Sequence, residues 1–507
     1  MMSMPTESTV EVGITLRELV SELGRVDARV VGDGNVRVTD VRQDSRRVEK
    51  GDLFAARAGS RSDGAAFAEA AVRAGARALL VEEGTELPSL GVPAVRVDDV
   101  RLAIALAAEA VHRHPSHDLR VIGITGTNGK TTSSFLTQAA IAAAGGRVGR
   151  LGTLGFAFES TLVDSPLTTP EADQVTRYLA KVRDLGGSHF VMEASSHALS
   201  LCRVEALRFA VAVFTNLTQD HLDFHGTMQA YADAKLRLFT ELLPGVSVLN
   251  VDDPFGDVIR GKLSRPCLSV SKRRPDADVV ARDVRLDARG IRATVQLPSG
   301  TVALESRLVG EHNLDNLLSA LAVVEALGLD AARAAQGLVD GPAVPGRLER
   351  CDAPEDDVLV LVDYAHTPDA LARALATCRT LSTGELVCVF GCGGDRDPDK
   401  RPKMGDAVGR LASRAIVTND NPRSESPEAI ADAILPGLRP HGIPFEVELD
   451  RAAAIERAVL GARPGDVVLV AGKGHEPYQL VGALRRDFDD RVEAKKALAL
   501  RRQRGRA

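Results

Sequence analysis

Arg120-Val121-Ile122-Gly123-Ile124-Thr125-Gly126-Thr127-Asn128-Gly129-Lys130-Thr131-Thr132-Ser133-Ser134 is the stretch whose reading decides the fold. The apolar run 121–124 predicts a buried strand. It breaks at a loop holding Gly126 and Gly129, and Lys130-Thr131-Thr132 open an amphipathic run to Ala144 that predicts a helix. A glycine loop between a strand and a helix is a phosphate cradle. Glycine lets the backbone approach an anion closely, the helix N-terminus offers N–H groups and partial positive charge, Lys130 adds a full charge, and the Thr131 hydroxyl is suited to Mg²⁺. The spacing departs from the commonest nucleotide loop: with Gly129-Lys130-Thr131 as anchor, its first glycine would fall at position 124, which is Ile124. A strand-to-helix turn with no ligand would need the glycines but not Lys130 and Thr131 beside them.

Working outward, 507 residues are too many for one hydrophobic core and predict three domains. The 63 basic and 69 acidic residues leave a net charge of −6 with no long basic block, so neither nucleic acid nor an anionic membrane is an expected partner. Any anionic substrate must then be held by local arginines. The first residues, Met1 to Glu7, lack a basic segment followed by an apolar one, so no secretory leader is expected. The most apolar helical run, 102–111, is short and contains Glu109, which argues against a membrane span. Six cysteines are scattered from Cys202 onward and only Cys388 and Cys392 lie close, a pattern of reduced thiols in a cytoplasm rather than of disulfides or a zinc site.

Before the loop, a helix at 14–24, strands at 36–40, 78–81 and 94–97, and helices at 65–74 and 100–112 describe a small α/β unit, with His114-Pro115-Ser116 as its linker. Asp44-Ser45-Arg46 lies between its elements, either as a polar loop or as an anchor for a nucleotide diphosphate. From 118 onward strand and helix alternate, which predicts a mostly parallel sheet with function at the C-terminal strand ends. Strands are expected at 121–124, 188–193, 209–215 and 246–250, and helices at 131–144, 171–185 and 228–242. Glu193 ends one strand, and Asp220, His221, Asp223 and His225 follow another, a cluster suited to Mg²⁺ beside a triphosphate. Residues 278–308 change to short alternating segments that predict antiparallel hairpins. A helix at 314–327 and a linker near 341–345 precede a second α/β set, with strands at 358–362, 386–390, 414–418 and 467–471 and a solvated terminal helix from Glu493.

Gly126-Thr127-Asn128-Gly129-Lys130-Thr131-Thr132 resembles the nucleotide loop of the Mur ligase and folylpolyglutamate synthetase superfamily. The order of the later signatures resembles the Mur ligases over essentially the whole chain, in the branch that adds the third residue of the peptidoglycan stem. The resemblance implies an α/β protein of three domains: an N-terminal UDP-sugar domain over 1–117, a central P-loop-type ATPase domain with a mostly parallel sheet over 118–343, and a C-terminal Rossmann-like amino-acid domain over 344–507. It implies ATP contacts at Thr127, Asn128, Gly129, Lys130, Thr131, Thr132, His312, Asn313, Arg347 and Asp363. It implies UDP-sugar peptide contacts at Asp44-Ser45-Arg46, Ser60, Arg61, Ser62, Thr168, Thr169, Ser195, Leu201 and Arg203. Two departures touch that set: Leu167 stands where some relatives carry Asn, and Leu201 where some carry Gln. Thr131, Glu193, His221 and Lys235 match the Mg²⁺ ligands, with Lys235 as a carbamate (N6-carboxylysine), and Lys130, Lys235, His221 and Glu193 are the implied catalytic set. Read from the residues alone, Lys235 is a solvated helix lysine.

Asp420-Asn421-Pro422-Arg423 resembles the version of this motif in diaminopimelate-adding members, whereas lysine-adding relatives lack the arginine. Diaminopimelate carries a second carboxylate, which a planar guanidinium grips through two hydrogen bonds. Arg396 adds another cation, Gly472 offers backbone, and Glu476 can receive the distal ammonium. The implied function is a cytoplasmic, monomeric, ATP- and Mg²⁺-dependent amide ligase joining diaminopimelate, with the meso isomer expected, to a UDP-N-acetylmuramoyl dipeptide in cell-wall synthesis. Two alternatives stay open at this level: a sister ligase such as folylpolyglutamate synthetase, and a nucleotide-dependent switch that ligates nothing.

Overall fold

The computed structural model describes residues 13–58, 63–339 and 344–505. The chain forms two compact units, one of residues 1–281, 295–302 and 315–337, the other of residues 282–294, 303–314 and 338–507.

In the first unit, a five-stranded sheet runs in the order Ala28–Val31, Ala94–Val97, Ala78–Glu82, Leu53–Ala56, Val41–Arg42, parallel except for the antiparallel pairing of the first two. Alternation along its strands sends Leu53, Ala55 and Leu80 into one apolar cluster and Phe54, Ala56, Leu79 and Val81 into another, so both faces are covered. The helix Leu16–Glu22 is set by a reciprocal cap between Thr15 and Glu18. The segment expected as strand 36–40 is shorter: only Arg37–Val38 pairs, with Ile14–Thr15. His114-Pro115-Ser116 is not an open linker. Pro115–Asp118 is a helical turn, and the buried Ser116 donates to Glu109 Oε2 at 2.7 Å.

A second sheet in this unit carries the phosphate loop. Its parallel strands lie side by side in the order Val148–Gly152, His189–Glu193, Arg120–Thr125, Phe209–Phe214, Val246–Asn250, Cys267–Ser271. An antiparallel meander, Val148–Gly152 to Gly155–Phe158 to Thr161–Val163, closes one edge. The strand before the loop is thus flanked by the strands ending at Glu193 and Phe214, and three adjacent C-terminal ends open on the same side. The meander and the strand Cys267–Ser271 are additions to the sequence reading. The segment expected to hold hairpins contains three successive strands, Val279–Asp287, Gly290–Leu297 and Gly300–Ser306, that neighbour one another in sheet order.

In the second unit a six-stranded sheet runs Glu349–Arg350, Leu359–Asp363, Val467–Ala471, Leu386–Phe390, Arg414–Val417, Phe445–Val447, all parallel but for the first strand. Leu361, Cys388, Phe390 and Leu469 meet the helices Pro368–Leu381, Lys400–Leu411 and Pro427–Leu438. Val360, Val362, Val389 and Val470 meet Arg451–Gly461 and the terminal helix Asp490–Gly505 on the other face. That last helix is not simply solvated. Ala494, Ala497 and Leu498 are buried, and Asp490 forms a wholly buried ion pair with Arg451 at 2.7 Å. Among the described residues all six cysteines are free, and no helix is long and apolar enough to cross a membrane.

Candidate active site

Two glycines shape the loop. Gly126 has φ +147° and Gly129 φ +86°; a Cβ at the first would overlap the Thr215 hydroxyl, and at the second would lie 2.5 Å from Asn316 Oδ1. Gly129 is also the N-cap of the helix Lys130–Ala143 and has no side chain of its own to take the first-turn amides. The neighbouring strand end holds the loop in place. Thr127 N donates to Asn216 O at 2.8 Å, Asn128 N to Asn216 Oδ1 at 2.9 Å, and the Thr215 hydroxyl to Asn128 O at 2.6 Å. Thr215 and Asn216 act as clamps that motif reading alone did not single out. Lys130 folds back, its ammonium donating to Gly126 O and Thr127 O, both at 2.9 Å. Thr132 is buried on the same turn.

Glu193 is fully buried at the end of its strand. Its Oε2 accepts from the hydroxyls of Thr131 and Thr153, each at 3.1 Å, and its Oε1 from Thr153 N at 2.8 Å. Thr153 sits on the turn of the edge meander, and sequence reading missed it because that turn is reached only through the fold. The bonds continue: Thr153 Oγ1 lies 3.2 Å from Thr168 Oγ1, Thr169 donates to Glu193 O at 2.7 Å, and Ser195 N donates to the Thr169 hydroxyl at 3.1 Å. Arg203 donates to Thr169 O at 3.0 Å and to Glu171 at 2.8 Å. Leu201 and Arg203 line a cleft with Gln43, Arg57, Arg101 and Glu171, while Leu167 is exposed. Thr131, Glu193, Thr168, Thr169, Ser195 and Arg203 are therefore one connected polar chain.

Lys235 departs from the residue-level reading. It is 1% exposed on the helix Met228–Thr240, its ammonium donating to Gly126 O at 2.8 Å and lying 4.3 Å from the centre of the Tyr231 ring. Burial, with the Lys130 charge adding to it, pushes its pKa well below the usual lysine range.

The acid-and-histidine cluster expected after Phe214 is not gathered as a metal-ligand set. Among the described residues no group of three or more His, Cys, Asp or Glu is placed to hold a metal ion. The histidines pack against aromatic rings instead: His221 lies edge-on to His197 at 4.9 Å, and His225 bonds the Ser196 hydroxyl at 2.9 Å. Burial and the two neighbouring histidines push His197 down to about 4. The Thr131 hydroxyl and the Glu193 carboxylate, 3.1 Å apart, are a pair of oxygen donors suited to a cation here.

Ser45 begins a short 3-10 turn, Ser45–Arg47, capped by Asp44, which also pairs with Arg46 at 2.8 Å. Ser60, Arg61 and Ser62 lie outside the described residues, as do Met1 to Glu7.

The second unit carries the other motifs at its own strand ends. Asp363 accepts from Leu348 N at 2.7 Å and Ala365 N at 2.8 Å; desolvation raises its pKa, against the pull of Arg347. Arg347 stacks 5.0 Å from the Tyr364 ring. Asn313, buried on the helix Glu311–Ala326, donates to Val309 O at 2.8 Å, and His312 beside it is exposed. The loops after Val467–Ala471, Leu386–Phe390 and Arg414–Val417, three neighbouring strands, converge. Asn421 Nδ2 donates to Glu476 Oε2 at 2.8 Å, and a Cβ on Gly472 would lie 2.5 Å from Asp420 Oδ2. Arg423, in the left-handed region at φ +52°, donates to Gly394 O at 2.6 Å. A hairpin, Tyr478–Val481 with Leu484–Asp487, grips its backbone: Arg423 N donates to Leu480 O at 3.1 Å and Gly482 N to Arg423 O at 2.7 Å. Arg396 reaches the same place, since a Cβ on Gly393 would lie 3.0 Å from Arg423 Nη1 and 3.9 Å from Arg396 Cγ. Pro422 is buried between Asn421 and Arg423.

Comparison with known proteins gives three family matches along the chain: the Mur ligase family catalytic domain over residues 37–112, the Mur ligase middle domain over 124–324, and the Mur ligase glutamate ligase domain over 346–474. A protein of Gloeobacter violaceus named UDP-N-acetylmuramoyl-L-alanyl-D-glutamate--2,6-diaminopimelate ligase is 44% identical over 491 residues, covering 97% of this chain and 99% of that one. A protein of the same name from Geobacter metallireducens is 44% identical over 472 residues, covering 89% and 92%. A solved structure with that name is 34% identical, covers 97% of this chain and 99% of its own, and has a TM-score of 0.71.

Proposed function

The chain belongs to the Mur ligase family, and from that premise we propose that it joins diaminopimelate to UDP-N-acetylmuramoyl-L-alanyl-D-glutamate at the expense of ATP. The observation that carries this reading is the polar chain from the phosphate loop through Glu193 to Thr168, Thr169, Ser195 and Arg203. It sets the cradle for a nucleotide triphosphate next to groups suited to a carboxylate-bearing sugar peptide, the neighbourhood that phosphoryl transfer onto a carboxylate requires.

Lys130 and the amides of residues 129–132 hold the phosphates, on a loop that Thr127 and Asn128 tie to Asn216. Thr168, Thr169, Ser195 and Arg203 orient the dipeptide so that its D-glutamate side-chain carboxylate attacks the γ-phosphorus; ADP departs and an acyl phosphate forms. The amine of diaminopimelate then attacks the acyl carbon and phosphate leaves. Positioning and charge neutralisation supply most of the rate, since several anions must meet. The donor set fits a hard dication: the Thr131 hydroxyl and the Glu193 carboxylate lie 3.1 Å apart in a buried place. We assign Mg²⁺ to Thr131, Glu193, His221 and Lys235 as its carbamate. When bound, it offsets the charge gathering between phosphates and carboxylate. His312, Asn313, Arg347 and Asp363 are assigned to the rest of ATP, and Ser45, Ser60, Arg61, Ser62 and Leu201 to the UDP-sugar.

Arg396, Asp420, Asn421, Pro422, Arg423, Gly472 and Glu476 are assigned to diaminopimelate. The Arg423 guanidinium beside Gly393 serves its distal carboxylate, with Arg396 as a second cation on the neighbouring loop, and Glu476 serves its distal ammonium. The segments 1–117, 118–343 and 344–507 divide these tasks as UDP-sugar, ATP and amino-acid domains, in a monomer acting in the cytoplasm.

An oxygen-isotope experiment tests the chemistry. With ¹⁸O in the glutamate side-chain carboxylate, one labelled oxygen must appear in the released phosphate for each amide formed. Unlabelled phosphate would contradict the acyl-phosphate route.

A further inference from the structure

We propose that Lys473 is a positioning residue of the amino-acid site, fixing the Glu476 carboxylate and the Asn421 amide in the orientation in which they meet the far end of the incoming diamino acid. The inference rests on the reading of the 420–423 and 472–476 loops as that site.

Lys473 is 0% exposed, yet it carries an ammonium. Placing a cation out of water costs several kcal/mol unless close partners offset it, so a packing role alone would be served better by an apolar side chain. Its Nζ lies 3.1 Å from Asn421 Oδ1 and 3.4 Å from Glu476 Oε2, and 5.5 Å from the centre of the Tyr478 ring. Asn421 Oδ1 accepts a second bond from Leu480 N at 2.9 Å. With two donors on its oxygen, the amide has only one way round. Nδ2 must face Glu476 Oε2, which it does at 2.8 Å.

Both contacts to Glu476 fall on Oε2, so among the described residues Oε1 is the oxygen turned over to a ligand. A carboxylate held by one oxygen and presenting the other suits an ammonium donor. Lys473 also faces the charge of Asp420, which is 8% exposed. It is therefore a shared counter-ion for two acids at the site, and it leaves free the oxygen the ligand needs. Arg451 adds a second cation toward Asp420, but its own guanidinium is committed to Asp490.

The test compares Lys473→Met, Glu476→Gln and the double variant in the full-length protein, with KM measured separately for diaminopimelate, ATP and the UDP-sugar dipeptide. Lys473→Met should raise KM for diaminopimelate about tenfold and leave the other two within about twofold. The double variant should be no more than about twofold worse than Glu476→Gln, because Lys473 acts through that carboxylate. Equal rises in all three KM values, an unchanged KM for diaminopimelate, or additive losses would overturn the proposal. Lys473→Gln, which keeps an uncharged donor, replaces the Met variant if that one does not fold; loss of folding in both makes Lys473 structural and also overturns it. Failure of the underlying reading looks different: the unmodified protein would not consume diaminopimelate, or Glu476→Gln would leave its KM unchanged.

Discussion

Lys130 and Lys235 donate to the same carbonyl oxygen, that of Gly126, at 2.9 and 2.8 Å. Two ammonium groups on one acceptor repel, and the one without solvent yields its proton more readily. Lys235 is that one, and a neutral buried amine is the form that reacts with CO₂. Protein equilibrated with ¹³C-bicarbonate should therefore give a single carbamate carbon signal, absent in Lys235→Met. That variant should also lose about 100-fold or more in turnover, the scale expected for removing a charge-stabilising group from a catalytic site. A Lys235→Met protein of ordinary activity would contradict the assignment.

Gly126→Ala acts on the same loop from the other side. At φ +147° the new methyl is strained and overlaps the Thr215 hydroxyl, which must leave Asn128 O to make room. KM for ATP should rise about tenfold or more, with a stability loss of about 1–3 kcal/mol in denaturant titration. Gly145→Ala is the control: its φ is also positive at +96°, but nothing lies within 4 Å of the added carbon, so ATP binding should be unaffected.

The phosphate loop was legible because glycine, lysine and threonine coincide at a strand-to-helix boundary, where local chemistry alone explains them. Lys235 was not. It sits among Tyr231, Ala234, Leu236, Leu238 and Phe239, all buried, and a charged residue on that face is a signal only once the face is known to be covered. Thr153 was missed for another reason: its bonds to Glu193 bridge 40 residues and exist only because the edge meander turns back. The hairpin behind Arg423 was invisible since its strands are half-buried or exposed throughout, without the alternation that marks a one-sided sheet. The terminal helix looked solvated because its Lys and Arg content hid the Ala494, Ala497, Leu498 stripe.

Arg423→Ala should relax the choice of amino acid more than the rate. Removing one charged bidentate contact costs about 1.5–3 kcal/mol, so the ratio of kcat/KM for diaminopimelate over lysine should fall about 10- to 100-fold. ATP KM should stay as it was. An unchanged ratio would assign Arg423 a purely structural part, in keeping with its bond to Gly394 O.

Glu109 gives a pH test independent of catalysis. Its carboxyl is 1% exposed, with Oε2 bonded to Ser116 and Oε1 unpartnered among the described residues, and burial pushes its pKa up to about 7 from 4.5. The folded state holds the proton more tightly than the unfolded one. The resulting stability is complete below about pH 4.5 and is lost as pH rises from there through about 7. Glu109→Gln stays neutral at every pH, so its stability relative to the unmodified protein should be greater at pH 8 than at pH 4, by on the order of 2–3 kcal/mol. An equal difference at the two pH values would contradict the buried, protonated carboxyl.

The most direct measurement is phosphate release and product mass with ATP, Mg²⁺ and UDP-N-acetylmuramoyl-L-alanyl-D-glutamate, comparing meso-diaminopimelate, its LL isomer, L-lysine and no amino acid. Phosphate release matched by a tripeptide product with a diaminopimelate isomer, and little with lysine, is the predicted result. Preference for lysine, or phosphate release without any ligated product, would contradict it.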